Sequence, residues 1–189
     1  MEKINQIRNV SIWIFILPVT ALNLCLFVSV NYFLFENTIF QVDEIGRTAF
    51  TIPYIDGSVS ISRTARTYPA YLIFKPAMIL TAILLIKYWI ANNKLIGTVN
   101  NEINKNKYFL IFGVGSALFL ILHSIFLGIK FDNDLYKLFR RTVILSFIIF
   151  EIVAQTLLVI NFCKVKEEIK KLTNMFLYFL NIDNYLNTF

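Results

Sequence analysis

The stretch TVILSFIIFEIVAQTLLVINFC, residues 142–163, decides the fold class of this chain. An α-helix needs about 20 predominantly apolar residues to cross the hydrocarbon core of a bilayer, and this stretch is long enough. Glu151, near its middle, is its only charged residue. The stretch therefore predicts a transmembrane helix that carries one acidic group close to the bilayer centre.

Three further apolar stretches have the same character, at residues 11–35, 71–90 and 108–129. In the whole chain of 189 residues, 57% are hydrophobic and 16% are charged. Soluble domains carry about 25% charged residues, and a globule of this size has too little interior for such an apolar excess. We predict an all-α integral membrane bundle, residues 1–189, with four transmembrane helices in a single domain.

Two segments lie outside these spans. Residues 36–70 form one long loop between the first and second helices, and we predict that it faces outward. The tail, residues 164–189, is apolar for only part of its length, since Asn181 and Asp183 interrupt it. We expect it to form a short fifth helix or a helix that lies at the membrane interface.

Lysine and arginine are more frequent near the span ends that share a side with both termini. By the positive-inside rule, this bias places both termini in the cytoplasm. No basic domain stands apart from the spans, so nucleic acid is not an expected partner. The short loops favour a bacterial inner membrane over a eukaryotic endomembrane.

The segment ISRTARTYPAYLIF, residues 61–74, resembles the first-loop signature of the Frag/DRAM/Sfk family of small multi-spanning membrane proteins. Ala65 stands where the family usually has Gly, and Ala70 where an acidic residue commonly follows the proline. The resemblance implies several spans, a long first loop and a role in organising membrane lipid. The residues that match are Ile61, Ser62, Thr64, Pro69 and Phe74.

Polar and cationic side chains gather where this segment enters the membrane. The guanidinium groups of Arg63 and Arg66 suit phosphate oxygens, and the long side chain of Lys75 can reach outward from the second span. We predict a pocket for an anionic lipid headgroup, formed by Ser62, Arg63, Thr64, Arg66 and Lys75. The alternative is ordinary anchoring at the interface, and membrane lipids are the expected partners in both cases.

Four polar residues inside the spans form a second predicted group, an intramembrane polar seam of Asn23, His123, Glu151 and Gln155. Ionisable groups within spans are costly and are usually functional. Glu151 and Gln155 are four residues apart and share a helix face. A functional cavity and a structural hydrogen-bond network both fit. A small proton- or ion-coupled transporter or channel that uses Glu151 and His123 is the alternative function.

The chain offers little for catalysis. It has one His and two Cys, Cys25 and Cys163, without the spacing of a metal site. We therefore predict no metal, no cofactor and no catalytic residues, and the sequence favours a protein that is not an enzyme. A homo-oligomer is an open alternative to a monomer.

Overall fold

The computed structural model describes the backbone of residues 2–41, 53–56, 64–99, 107–129 and 134–186. Every regular element in these ranges is helical, which confirms the all-α prediction. The elements are α1 (Glu2–Val30), a 3-10 turn (Tyr32–Phe35), α2 (Pro53–Asp56), α3 (Ala70–Val99), α4 (Tyr108–Phe126) and α5 (Asp134–Leu186).

Four of these helices, α1, α3, α4 and α5, are long and apolar enough to cross a membrane. Their outward faces are strongly hydrophobic. Phe15 is 70% exposed, Ile111 62% and Ile152 60%. Large side chains so exposed on every long helix indicate a lipid environment, so the chain is an integral membrane protein.

The long helices pack in chain order. Helix α1 packs on α3, α3 on α4, and α4 on α5, while α3 also touches α5. Trp89, Phe109, Leu120 and Leu158 are buried in the core that α3, α4 and α5 share. Gly113 lets the Trp89 ring approach α4, because a Cβ at this position would lie 2.3 Å from Trp89 Cδ2.

We call the end of the bundle that carries Val30, Ala70, Phe126 and Asp134 the outer end, after the predicted orientation. A second apolar cluster closes it, where residues 64–70 pack against α1 and against the residues after α4. The buried thiol of Cys25 donates to the carbonyl oxygen of Ala70 at 3.3 Å. The members of this cluster are Cys25, Ala65, Ala70, Phe74 and Leu127.

The helix bounds differ from the predicted spans at several places, and α3 and α5 are both longer than predicted. Helix α1 begins at Glu2 and gives way to the 3-10 turn after Val30. The predicted loop contains α2. The C-terminal helix is continuous with α5, which is 53 residues long. No Gly or Pro follows Gly128 in the sequence, so no helix-breaking residue separates the tail from the span.

Candidate functional site

Three basic side chains from three different segments converge at the outer end, and we call them the outer cation cluster. Arg66 lies in the turn before α3, His123 in the last turn of α4 and Arg140 in the second turn of α5. The three are close enough for their charges to interact with one another. The cluster therefore depends on the packing of α3, α4 and α5.

The end of α4 holds the two arginines in place. The hydroxyl of Tyr136 donates to the carbonyl oxygen of Phe126 at 2.7 Å, and the Arg140 guanidinium lies 5.7 Å from the centre of the Tyr136 ring. Gly128, with a φ of 86°, passes close to the Arg66 backbone: a Cβ there would lie 3.5 Å from the Arg66 carbonyl oxygen. These contacts bring both arginines to the α4 terminus.

Like charges meet in this cluster. Partial burial and, secondly, the positive charge of Arg140 lower the pKa of the Arg66 guanidinium. Among the described residues, neither arginine is within ion-pair distance of a carboxylate. Asp134, the nearest acid along α5, pairs instead with Lys137 at 2.9 Å. An anion bound between the arginines would relieve this repulsion.

His123 adds a polar atom to the same place. Its side chain is partly buried, and within the described ranges its Nδ1 atom has no hydrogen-bond partner. A buried polar atom without a partner is unfavourable unless water or a ligand satisfies it. The cluster thus offers two guanidinium forks and one imidazole nitrogen to an acceptor-rich group such as a phosphate.

The predicted headgroup residues fall into different surroundings. Ser62 and Arg63 lie outside the described residues. Thr64 is buried, and its carbonyl oxygen accepts from the Thr67 hydroxyl at 2.9 Å. Lys75 donates to the carbonyl oxygen of Ile125 at 3.3 Å, so its charge already stabilises the C-terminal end of α4. The prediction for these four residues stays a prediction.

A second polar arrangement lies in the middle of the bundle, and we call it the carboxyl network. The Ser116 hydroxyl lies 2.6 Å from Glu151 Oε2, and the Gln155 amide donates to Glu151 Oε1 at 2.9 Å. Tyr88 of α3 is close enough to interact with the Glu151 carboxyl group. The Asn92 side-chain amide donates to the carbonyl oxygen of Tyr88 at 2.9 Å. The network links α4 to α5.

The structure divides the predicted polar seam. Gln155 and Glu151 are together, but Asn23 lies on α1, which packs on α3 rather than on α5. Asn23 donates to the carbonyl oxygen of Val19 at 2.8 Å and accepts from the Tyr54 hydroxyl at 2.7 Å. His123 lies about two helical turns from Ser116 along α4 and belongs to the outer cation cluster.

An open cleft accompanies the contact between Asn23 and Tyr54. Its volume is about 480 Å³, and both residues line it together with apolar residues from the outer half of α1. The described polar groups in it already have partners: the Thr20 hydroxyl donates to the carbonyl oxygen of Ile16 at 2.8 Å. The cleft therefore offers fewer free polar groups than the outer cation cluster.

Reasoning from sequence did not assign a role to Arg140, and it did not pair Ser116 with Glu151. The sequence did contain an indication for Arg140. Tyr136 precedes it by four residues, and an aromatic ring at this spacing on a helix can make a cation–π contact with a guanidinium group. For Ser116 the missing information was the rotation of α4 about its axis, which sets which of its residues face α5.

The described residues contain no group of three or more His, Cys, Asp or Glu side chains that could hold a metal ion. Comparison with protein-family models, with characterised proteins and with solved structures finds no match to this chain. The resemblance to the Frag/DRAM/Sfk family therefore rests on residues 61–74. Of the five matching residues, Ile61 and Ser62 lie outside the described ranges, whereas Thr64, Pro69 and Phe74 are buried.

Proposed function

We propose that this multi-pass membrane protein binds an anionic lipid headgroup at the outer cation cluster. The observation that carries the proposal is the convergence of Arg66, His123 and Arg140 without a carboxylate at ion-pair distance among the described residues. A role in organising membrane lipid, and membership of the Frag/DRAM/Sfk family, belong to the same proposal. So does the assignment to a bacterial inner membrane.

The position of the cluster supports a lipid rather than a soluble anion. His123 occupies the last turn of a span, and Arg66 and Arg140 come from the segments that enter the membrane beside it. Headgroup phosphates lie at this level of a bilayer, while the acyl chains can lie along the exposed apolar faces of α4 and α5. Arginine is well suited to such a site because its planar fork bonds two phosphate oxygens at once.

The test is a lipid titration of the purified protein in detergent, followed by native mass spectrometry. The wild type should bind phosphatidylglycerol more tightly than phosphatidylcholine. The double variant Arg66→Gln, Arg140→Gln should bind phosphatidylglycerol about 100-fold more weakly. A charge-assisted hydrogen bond contributes about 1.5–3 kcal/mol, and about 1.4 kcal/mol corresponds to a tenfold change in affinity.

The matched control is the double variant Lys137→Gln, Arg141→Gln. It also removes two positive charges, from exposed positions of α5. It should change the affinity much less than the cluster variant does, because neither side chain belongs to the outer cation cluster. If both double variants lost affinity for phosphatidylglycerol equally, the binding would reflect general attraction by positive charge and not a specific site. Glycerol phosphate, the headgroup without acyl chains, is the competitor, and effective competition at equal concentration would favour a soluble phosphate ester.

The transporter or channel alternative depends on a connection between Glu151 and His123. They lie in the carboxyl network and in the outer cation cluster, respectively, and no hydrogen bond among the described residues joins the two groups. Proton flux into liposomes that contain the wild type, abolished by Glu151→Gln, would support this alternative over lipid binding.

A further inference from the structure

We infer that Glu151 is a proton-binding site, occupied at neutral pH, in the middle of the membrane. This inference rests on the hydrogen-bond geometry around Ser116 and does not depend on the proposed lipid site. The ligand is the proton itself, held on Oε2 of the Glu151 carboxyl group. The protonated acid then acts as a hydrogen-bond donor between α4 and α5.

The argument is a count of hydrogens. Ser116 Oγ lies 2.8 Å from the carbonyl oxygen of Gly113 and 2.6 Å from Glu151 Oε2. A carbonyl oxygen only accepts, and an ionised carboxylate only accepts, whereas a serine hydroxyl has one hydrogen to donate. If Glu151 were ionised, one of these two short contacts would bring two oxygen atoms together with no hydrogen between them.

A proton on Glu151 satisfies every contact. The carboxyl O–H donates to Ser116 Oγ, and Ser116 donates to the Gly113 carbonyl oxygen. The other carboxyl oxygen, Oε1, accepts from the Gln155 amide at 2.9 Å. The separation of 2.6 Å is typical of a strong O–H···O hydrogen bond. Each oxygen then has the role that its chemistry allows.

The charged and titratable surroundings agree with a neutral acid. Among the described residues, Glu151 has no cation within ion-pair distance. From α3 the neighbouring titratable group is Tyr88, and the adjacent Lys87 is exposed. On α4, Tyr108 is the first residue of the helix, about two turns from Ser116. His123 interacts with the arginines of the outer cation cluster. An isolated ionised carboxylate at this depth would be costly, and protonation removes that cost.

Infrared spectroscopy of the protein in lipid vesicles tests the inference directly. Protein labelled with carboxyl-¹³C glutamate should show, at neutral pH, an isotope-shifted carbonyl stretch of a protonated acid. Glu151→Gln should remove this band completely. Glu36→Gln makes the same chemical change at an exposed carboxyl and should leave the band unchanged. Ser116→Ala should shift its frequency, because the acid loses its hydrogen-bond acceptor.

Two results would overturn the inference. One is the absence of an isotope-sensitive protonated-acid band from the labelled wild type at neutral pH. The other is a band that persists in Glu151→Gln. If Glu151→Gln does not fold, the labelled Ser116→Ala protein decides the question: a shifted band supports the site, and an unshifted band assigns the proton to a different glutamate.

Discussion

The outer cation cluster and the carboxyl network both include polar groups of α4 and α5, yet they differ in how their polar groups are satisfied. In the cluster, Arg66 and Arg140 repel one another, and His123 Nδ1 has no partner among the described residues. In the network, Ser116 and Gln155 both contact Glu151 at hydrogen-bond distance. In the first arrangement no carboxylate among the described residues neutralises the arginines, whereas the second is complete within the chain once Glu151 holds a proton.

This difference separates two consequences of placing polar groups in a membrane protein. A set of charges that the chain does not neutralise favours binding of an external ion, because that ion removes the repulsion. A satisfied set links helices and contributes modestly to stability, about 0.6 kcal/mol for each hydrogen bond in a membrane. Substitutions in the cluster should therefore change binding, while substitutions in the network should change stability.

The largest expected effect concerns orientation, which is all or none. In a variant without Cys25 and Cys163, a cysteine introduced at Ser58 should react with a membrane-impermeant thiol reagent added from outside, and one at Asn100 should not. This result follows from placing the termini in the cytoplasm. The reverse labelling pattern would put the outer cation cluster on the cytoplasmic face and exclude an outward-facing headgroup site.

Gly113→Val should affect both regions at once. The added Cβ would lie 2.3 Å from Trp89 Cδ2, so α3 and α4 must separate or Trp89 must move. Such overpacking costs about 3 kcal/mol. Thermal unfolding in detergent and lipid binding should both decline, and Gly115→Ala should have a smaller effect because it meets only the partly exposed Phe150 ring. A stable Gly113→Val protein with normal binding would contradict the helix packing described above.

Arg66→Lys should lower the affinity for phosphatidylglycerol about tenfold, because an ammonium group cannot make the paired hydrogen bonds of a guanidinium. The melting temperature should stay close to that of the wild type. The measurement is the same lipid titration, with Arg141→Lys as the control at an equally exposed position outside the outer cation cluster. Full affinity in Arg66→Lys would show that only the charge matters there.

The smallest effect is expected at Glu151. Glu151→Leu loses the hydrogen bonds to Ser116 and Gln155, and should lower the free energy of unfolding by about 1 kcal/mol. Glu151→Gln should be nearly as stable as the wild type, because an amide can donate to Ser116 and accept from Gln155 as the protonated acid does. Denaturation of both variants in the same detergent measures the difference. Equal losses would show that Glu151 does not act as a hydrogen-bond donor.

The sequence predicted the helical class because four long apolar runs have no other stable arrangement in a membrane. It also placed Glu151 and Gln155 on one face, since residues four apart on one helix are neighbours whatever the fold. The sequence did not predict the contacts between helices. Ser116 meets Glu151 only because of how α4 and α5 are rotated and how far they slide along one another. Arg66 and Arg140 come close enough for their charges to interact only because the segment before α3 packs at the outer end.

Lys75 illustrates the same limit within a single predicted site. Its place in the chain predicted a cation for a lipid headgroup, whereas in the structure it donates to the carbonyl oxygen of Ile125 on another helix. The full extent of α5 was, by contrast, readable from composition, because no Gly or Pro follows Gly128.

The length of α5 has a mechanical consequence. At 1.5 Å per residue, its 53 residues extend about 80 Å, while the hydrocarbon core is about 30 Å thick. Glu151 lies near the middle of the span, and the helix continues for about 50 Å beyond it to Leu186. A tilt of about 10° at the level of Glu151 would displace the far end by about 9 Å. The helix is thus a lever whose short arm carries Arg140 of the outer cation cluster and whose long arm reaches out on the side of the N-terminus.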